Sequence, residues 1–272
     1  MRVLRVLRPG RWVAGVCLAP LLVLAACSDS GTAPTASQSL APPVTAPVRL
    51  GPVYVAVGAS ETVGFGSTQP LRDAWPRAFF RATLPTSTVF VNTGIPGSTV
   101  AQAIREEAPA AVDLRPDLVT VWTNVNDIIA GLPPSEFERQ LETLVSTLRR
   151  GGATRVLVAN VPPLEQLPAY LACRPNPPPG GPQCRAAARL PAPDLVVQAV
   201  DAYNAATARV AERQGALVVD LHAMGLAARQ AGNDAGLVSG DGFHPSTAGH
   251  AAVASAFAEV FKQSGPLPGA PT

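Results

Sequence analysis

The sequence predicts an α/β protein with a doubly wound, mainly parallel five-stranded sheet carrying helices on both faces. Three observations predict it. Short, nearly continuous apolar runs recur at Val53 to Val57, Thr88 to Val91, Leu118 to Trp122, Arg155 to Ala159 and Ala216 to Asp220, the pattern of strands buried on both faces. Between them lie stretches whose apolar residues repeat at helical spacing. The polar residues best suited to chemistry fall just after these runs or in the last loop, and a parallel sheet gathers its ligands beyond the carboxyl ends of its strands.

The first 26 residues contain Arg2, Arg5, Arg8 and Arg11, then an apolar run from Trp12 to Ala26 that ends in small residues before Cys27. That is the layout of a secretory signal peptide, and the run is short for a membrane span. Leu24-Ala25-Ala26-Cys27, followed by Ser28 and Asp29, resembles the lipobox of bacterial lipoproteins. The resemblance implies that Cys27 is lipidated and becomes the first residue of the mature chain. Cleavage elsewhere, with Cys27 unmodified, is the plainer alternative. Acyl chains would anchor an exported protein at a cell-envelope membrane, on its periplasmic or extracytoplasmic face. Ser28 to Arg49 is mostly Ser, Thr, Ala and Pro, a tether reaching roughly 25 to 70 Å according to its stiffness. The expected organisation is a signal peptide over 1–26, a lipidated Cys and tether over 27–50, a globular domain over 51–263 and a disordered tail over 264–272.

The 272 residues are 47% hydrophobic and 15% charged, enough to build one core under a charge-poor surface. Only Lys262 among the 21 basic residues is a lysine, so arginine content reads as coding bias and not as a binding surface. Without the four leading arginines, 17 basic residues face 19 acidic ones. A nucleic-acid footprint is therefore not expected.

Taken in order, Val53 to Val57 reads as a strand ending at Gly58-Ala59-Ser60, and Asp73 to Leu84 as a helix with Trp75, Phe79 and Phe80 at compatible spacing. Ser135 to Arg150 places Phe137, Leu141, Leu144, Val145 and Leu148 on one helical face, with Ser135 and Glu138 as a capping box and Gly151-Gly152 as the stop. Asp194 to Gln214 reads as another helix. The segment at about 164–193 breaks the alternation with clustered prolines and holds Cys173 and Cys184. In an exported chain these two are expected to pair, closing a short loop worth about 3 kcal/mol on the loop-entropy account. Two free thiols are the alternative.

Ester hydrolysis requires a nucleophile, a base, a group that orients the base and donors for an oxyanion. Ser60, Gly97, Asn126 and the pair Asp241 and His244 include every residue type needed. Val55-Ala56-Val57-Gly58-Ala59-Ser60, then Asn92 to Thr99, then Asn124-Val125-Asn126-Asp127, then Asp241-Gly242-Phe243-His244-Pro245 resemble, in order, the four blocks of the SGNH/GDSL hydrolase family. Thr247-Ala248-Gly249-His250 resembles the start of its last helix.

The resemblance implies a flavodoxin-like SGNH fold and a serine esterase acting through an acyl-enzyme, with Ser60 as nucleophile, His244 as base and Asp241 orienting the imidazole. It further implies an oxyanion hole made by the Ser60 and Gly97 N–H groups and the Asn126 amide. No cofactor and no metal are implied. The expected partners are a small-molecule, lipid or polysaccharide ester and, through the anchor, a membrane; a monomer is expected. Because the 164–193 segment has no long apolar flap, short acyl or acetyl groups are the expected substrates.

Three positions depart from the family pattern. Ala59 and Glu61 stand where Asp and Leu are usual, and Asn124 replaces a glycine beside the oxyanion position. They motivate an alternative, a catalytically inactive envelope lipoprotein that binds a sugar or acyl ligand on the same fold. Glu106 and Glu107 read as solvated charges, His222 and His250 as structural or exposed, and Trp122 and Tyr203 as core or pocket wall.

Overall fold

The computed structural model describes residues 51–177, 179, 183–184, 190–234, 236–265 and 267. The expected signal segment, Cys27 and the tether to residue 50 lie outside these, as do parts of the 164–193 segment and residues 266 and 268–272 of the tail. Among the described residues no helix is long and apolar enough to cross a membrane.

Strands β1 (Val53–Gly58), β2 (Val89–Asn92), β3 (Leu118–Trp122), β4 (Arg155–Ala159) and β5 (Leu217–Val219) form one parallel sheet in the order β2-β1-β3-β4-β5. Each falls on its predicted apolar run. From β1 the chain crosses to β2 on one side, then to β3 on the other. The sheet therefore has its switch point between β1 and β3, and a crevice opens beyond their carboxyl ends.

The connections supply helices α1 (Ser60–Val63), α2 (Pro70–Asp73), α3 (Trp75–Thr83), α4 (Val100–Gln102), α5 (Ala108–Asp113), α6 (Val125–Ile129), α7 (Pro134–Arg149), α8 (Pro168–Cys173), α9 (Pro193–Gln214), α10 (Leu221–Gln230) and α11 (Thr247–Gln263). Alternation along the strands sorts the core into two layers. Val55, Val57, Val119, Val121, Val156 and Val158 face one side, against α5, α7 and α9. Tyr54, Ala56, Leu118 and Leu157 face the other, where Trp75 and Phe79 of α3 meet Phe257 and Phe261 of α11. The Trp75 and Phe257 rings stack at 4.2 Å.

Prolines decide several helix starts. α7 begins at Pro134 with no side-chain cap, so the expected Ser135–Glu138 capping box does not form. Proline at the first helical position has its φ already set and lacks only an N–H that would be unpaired there. Ser135 is thereby drawn inside the helix, and Glu138 pairs with Arg209 at 2.6 Å and Arg213 at 2.9 Å on α9. In the same way Pro168 opens α8 inside the proline-rich segment. Cys173, the last residue of α8, is disulfide-bonded to Cys184.

Between α4 and α5 the chain widens into a π-turn, Ala103–Glu107, in which the Ala108 N–H bonds back to the Ala103 carbonyl. Pro109 supplies the cause. It cannot donate to Arg105, and its ring would crowd that carbonyl in a regular α-helix.

Candidate active site

Ser60 is the first residue of α1, at the point where β1 ends. Gly58 permits that junction, since a Cβ there would lie 2.2 Å from Thr62 Oγ1 and 2.6 Å from the Trp122 carbonyl oxygen. The N-cap of α1 is Ala59, so the Ser60 hydroxyl is not engaged in capping. Its Oγ lies 2.9 Å from His244 Nε2, and His244 Nδ1 lies 2.6 Å from Asp241 Oδ2. With the Nδ1 proton directed at the carboxylate, Nε2 is the acceptor for the serine hydroxyl.

The loop that carries Asp241 and His244 is held from within. Asp241 Oδ1 accepts from the Ser239 hydroxyl at 2.7 Å, the Phe243 N–H at 2.8 Å and the His244 N–H at 2.9 Å. Partial burial pushes the Asp241 carboxyl up, but these bonds and the His244 ring outweigh it and hold the group down at about 2. Asp241 therefore stays ionised beside the imidazole. An antiparallel bridge between Val238 and Pro245 closes the loop's base. Gly66 packs against it at φ +88°, where a Cβ would come within 2.3 Å of the Pro245 carbonyl oxygen.

Gly97, in the loop after β2, adopts φ +80°, a conformation that favours glycine. Among the described residues neither the Gly97 nor the Ser60 N–H has a protein acceptor. Asn126, in α6, donates one amide hydrogen to the Ser98 carbonyl at 3.0 Å, which leaves its second hydrogen available. Asn124 does not enter this space. Its amide nitrogen donates to the Ala159 carbonyl at 3.1 Å, tying the ends of β3 and β4 together.

Three carboxyls surround the loop: Asp127, which the sequence places as a hydrogen-bonding group near the oxyanion position, and Glu107 and Glu61, which it does not. Glu107 is not solvated, as expected from sequence, but 1% exposed. Its Oε1 accepts from the Ser98 hydroxyl at 2.6 Å and its Oε2 from the Gly58 N–H at 2.8 Å. Burial raises it to about 7 against those two bonds. Asp127 accepts from the Val100 N–H at 3.1 Å with both oxygens, and burial raises it to about 6. Glu61 accepts from the Ala59 N–H at 3.2 Å, and burial raises it to about 7. Periodicity held the signal for Glu107, because Val100, Ala103 and Ala111 are its buried companions at helical spacing.

His250 is buried, accepting from the Trp75 N–H at 3.3 Å and donating to the Phe65 carbonyl at 2.9 Å. Burial lowers its pKa; it braces α11 against the turn that follows Ser60. Trp122 lines a cavity and Tyr203 is core, its hydroxyl donating to the Leu132 carbonyl at 2.7 Å.

That cavity, of about 440 Å³, is lined by Glu61, Asn126 and His244 and then runs along apolar side chains. Leu164, Leu167 and Leu171 come from the cysteine-bearing segment, and Leu221 and Met224 from α10. The expectation of short acyl groups rested on a segment without an apolar flap. Instead its leucines form one wall, Leu164 and Leu167 from the turn before α8 and Leu171 from α8 itself.

A serine, an imidazole and a carboxylate at the switch point of a parallel sheet define an ester hydrolase of the SGNH type. Residues 56–252 match the model of the GDSL-like lipase/acylhydrolase family, and the chain belongs to that family. Among curated proteins none matches it in sequence.

Its fold is similar to that of a lipase/acylhydrolase from Enterococcus faecalis, at 18% identity and a TM-score of 0.57 over 80% of this chain and 100% of that one. An alpha/beta hydrolase from the metagenome of Lake Arreo, Spain, is similar at 23% identity and 0.57, over 79% and 97%. An acetylxylan esterase from Geobacillus stearothermophilus, in a catalytic-mutant form, is similar at 21% and 0.56, over 77% and 94%. At these identities the likeness is one of fold.

Proposed function

We propose that the chain hydrolyses carboxylic esters through an acyl-enzyme on Ser60. The observation that carries this reading is the unbroken hydrogen-bonded run from Ser60 Oγ through His244 to Asp241, beside a largely apolar cavity. Ser60 Oγ attacks the acyl carbonyl while His244 Nε2 takes its proton. Asp241, held ionised, stabilises the imidazolium. The tetrahedral oxyanion accepts from the Ser60 and Gly97 N–H groups and from the second Asn126 hydrogen. His244 then protonates the leaving alkoxide, and water, activated by the same imidazole, releases the acid.

The acyl chain lies along Leu164, Leu167 and Leu171, which favours acyl groups longer than acetyl. A cavity of this size suits a ligand of drug-like dimensions. Further, we infer that the chain is exported, anchored through lipid on Cys27 and active as a monomer; the Leu24-Ala25-Ala26-Cys27 run supports the anchor, and a site built from one chain supports the monomer. Labelling with radioactive palmitate, lost in Cys27→Ala, checks the anchor.

Turnover of p-nitrophenyl butyrate by the full chain tests the catalytic reading. Ser60→Ala and His244→Ala, folded by circular dichroism, are expected to abolish it. A folded parent that neither turns over the ester nor reacts with a fluorophosphonate would overturn it.

A further inference from the structure

The Glu107 side chain bonds both to β1 near the nucleophile and to the loop that carries Gly97. Its Oε2 accepts from Gly58, two residues before Ser60, and its Oε1 from the hydroxyl of Ser98, the residue after Gly97. The Ser98 carbonyl in turn receives the Asn126 amide. One carboxyl therefore connects the elements that carry Ser60, Gly97 and Asn126. Neither Glu107 nor Ser98 meets solvent to any extent, at 1% and 0% exposed, so water cannot replace these bonds. Glu107 is also the last residue of the π-turn, a local irregularity that places its carboxyl under the two loops.

We propose that Glu107 is a positioning residue that sets the distance and angle between the Ser60 hydroxyl and the Gly97 N–H. The inference rests on the esterase reading of Ser60 and Gly97. Glu107 does not touch the ester. Its effect is confined to the transition state, where the oxyanion donors engage, and leaves the apolar contacts that bind the acyl chain unchanged.

The polar geometry matters here, more than the charge. A glutamine keeps both arms, since its carbonyl can accept from Gly58 while its amide donates to Ser98 Oγ and the hydroxyl turns to the Thr99 carbonyl, 3.3 Å away. A leucine of similar size keeps neither.

The test compares the full chain, purified in detergent, with Glu107→Leu, Glu107→Gln, Ser98→Ala and Ser60→Ala on p-nitrophenyl butyrate. Glu107→Leu is expected to lower kcat about 10- to 100-fold with KM within about twofold. Glu107→Gln is expected to stay within about threefold of the parent. If Glu107→Leu does not fold, Ser98→Ala, which cuts only the arm to the Gly97 loop, carries the test, with kcat expected to fall about tenfold at unchanged KM.

A parental kcat in Glu107→Leu, or in Ser98→Ala where that variant carries the test, overturns the inference, and so does a loss that Glu107→Gln shares. These outcomes leave the esterase reading standing provided Ser60→Ala is dead. A parent without turnover, or an active Ser60→Ala, overturns the esterase reading and this inference together.

Discussion

Ala169 donates its backbone N–H to the carbonyl of Gly242 at 3.0 Å. The helix of the cysteine-bearing segment is thereby docked on the loop that presents Asp241 and His244. Contact is close enough that a Cβ on Gly242 would lie 2.8 Å from the Ala169 nitrogen. A segment that sequence marks as an interruption thus supports the imidazole from one side and walls the cavity from the other.

Reduction should test that coupling. Opening the Cys173–Cys184 bond restores freedom to the unfolded chain, and about 2–3 kcal/mol of stability should be lost. Urea unfolding with and without reductant measures it. Because Leu171 lies on α8, long-chain ester turnover should fall more than acetate turnover.

The cavity makes a second prediction. Each methylene buried along its wall should raise kcat/KM about fourfold until the space is filled. A p-nitrophenyl ester series from acetate upward reads this directly, and Met224→Trp should shift the optimum to shorter chains. A profile that peaks at acetate would contradict the acyl assignment.

Asp241→Asn should fold, since its amide oxygen can still accept from Ser239, Phe243 and His244. Its amide nitrogen, however, cannot accept the Nδ1 proton. The imidazole then carries its proton on Nε2, where it cannot accept from Ser60, and kcat should fall by about four orders of magnitude.

Stability should respond to pH in two opposite ways. Glu107 is raised from 4.5 to about 7 and Asp127 from 3.8 to about 6, so between these values the folded chain holds protons that the unfolded chain has released. Their contribution is complete below about pH 4 and is lost as pH rises through about 6 to 7. Asp241, lowered to about 2, stabilises above about pH 4, and that contribution is lost as pH falls through about 2. The urea midpoint should therefore drop from pH 5 to pH 8, and Glu107→Gln should flatten the decline.

Two glycines near the site should behave differently when changed to alanine. At Gly97 a Cβ meets nothing within 4 Å, so only the cost of φ +80° remains, about 1–2 kcal/mol. At Gly66 the added carbon would also lie 2.8 Å from His244 Cβ. Gly66→Ala should cost more stability, and thermal unfolding of the two variants checks the order.

Sequence carried most of the architecture because β1, β3 and β4 are buried on both faces and the helices on one, so periodicity reports them. Val119 and Val121 read as strand whichever layer they face. Ser60, His244 and Asp241 were legible because the blocks that carry them resemble, in order, those of the SGNH/GDSL family. Glu107 and Glu61 were harder. A glutamate two residues before a proline reads as helix surface by residue type, and only its spacing from the buried Val100, Ala103 and Ala111 marks Glu107 as inside. Asn124 misled in the opposite direction, since its position in a motif said nothing about its bond to Ala159. The cavity could not be read at all, because its leucines belong to a segment whose prolines masked a short helix.

The bond between Ser60 and His244 joins residues 184 positions apart. No partial chain that lacks the last loop can close it, however well the first strands have assembled. On the proposed mechanism, hydrolytic power therefore arrives late and all at once, which makes ester turnover a clock for completion: a chain still being synthesised has Ser60 but no base to take its proton.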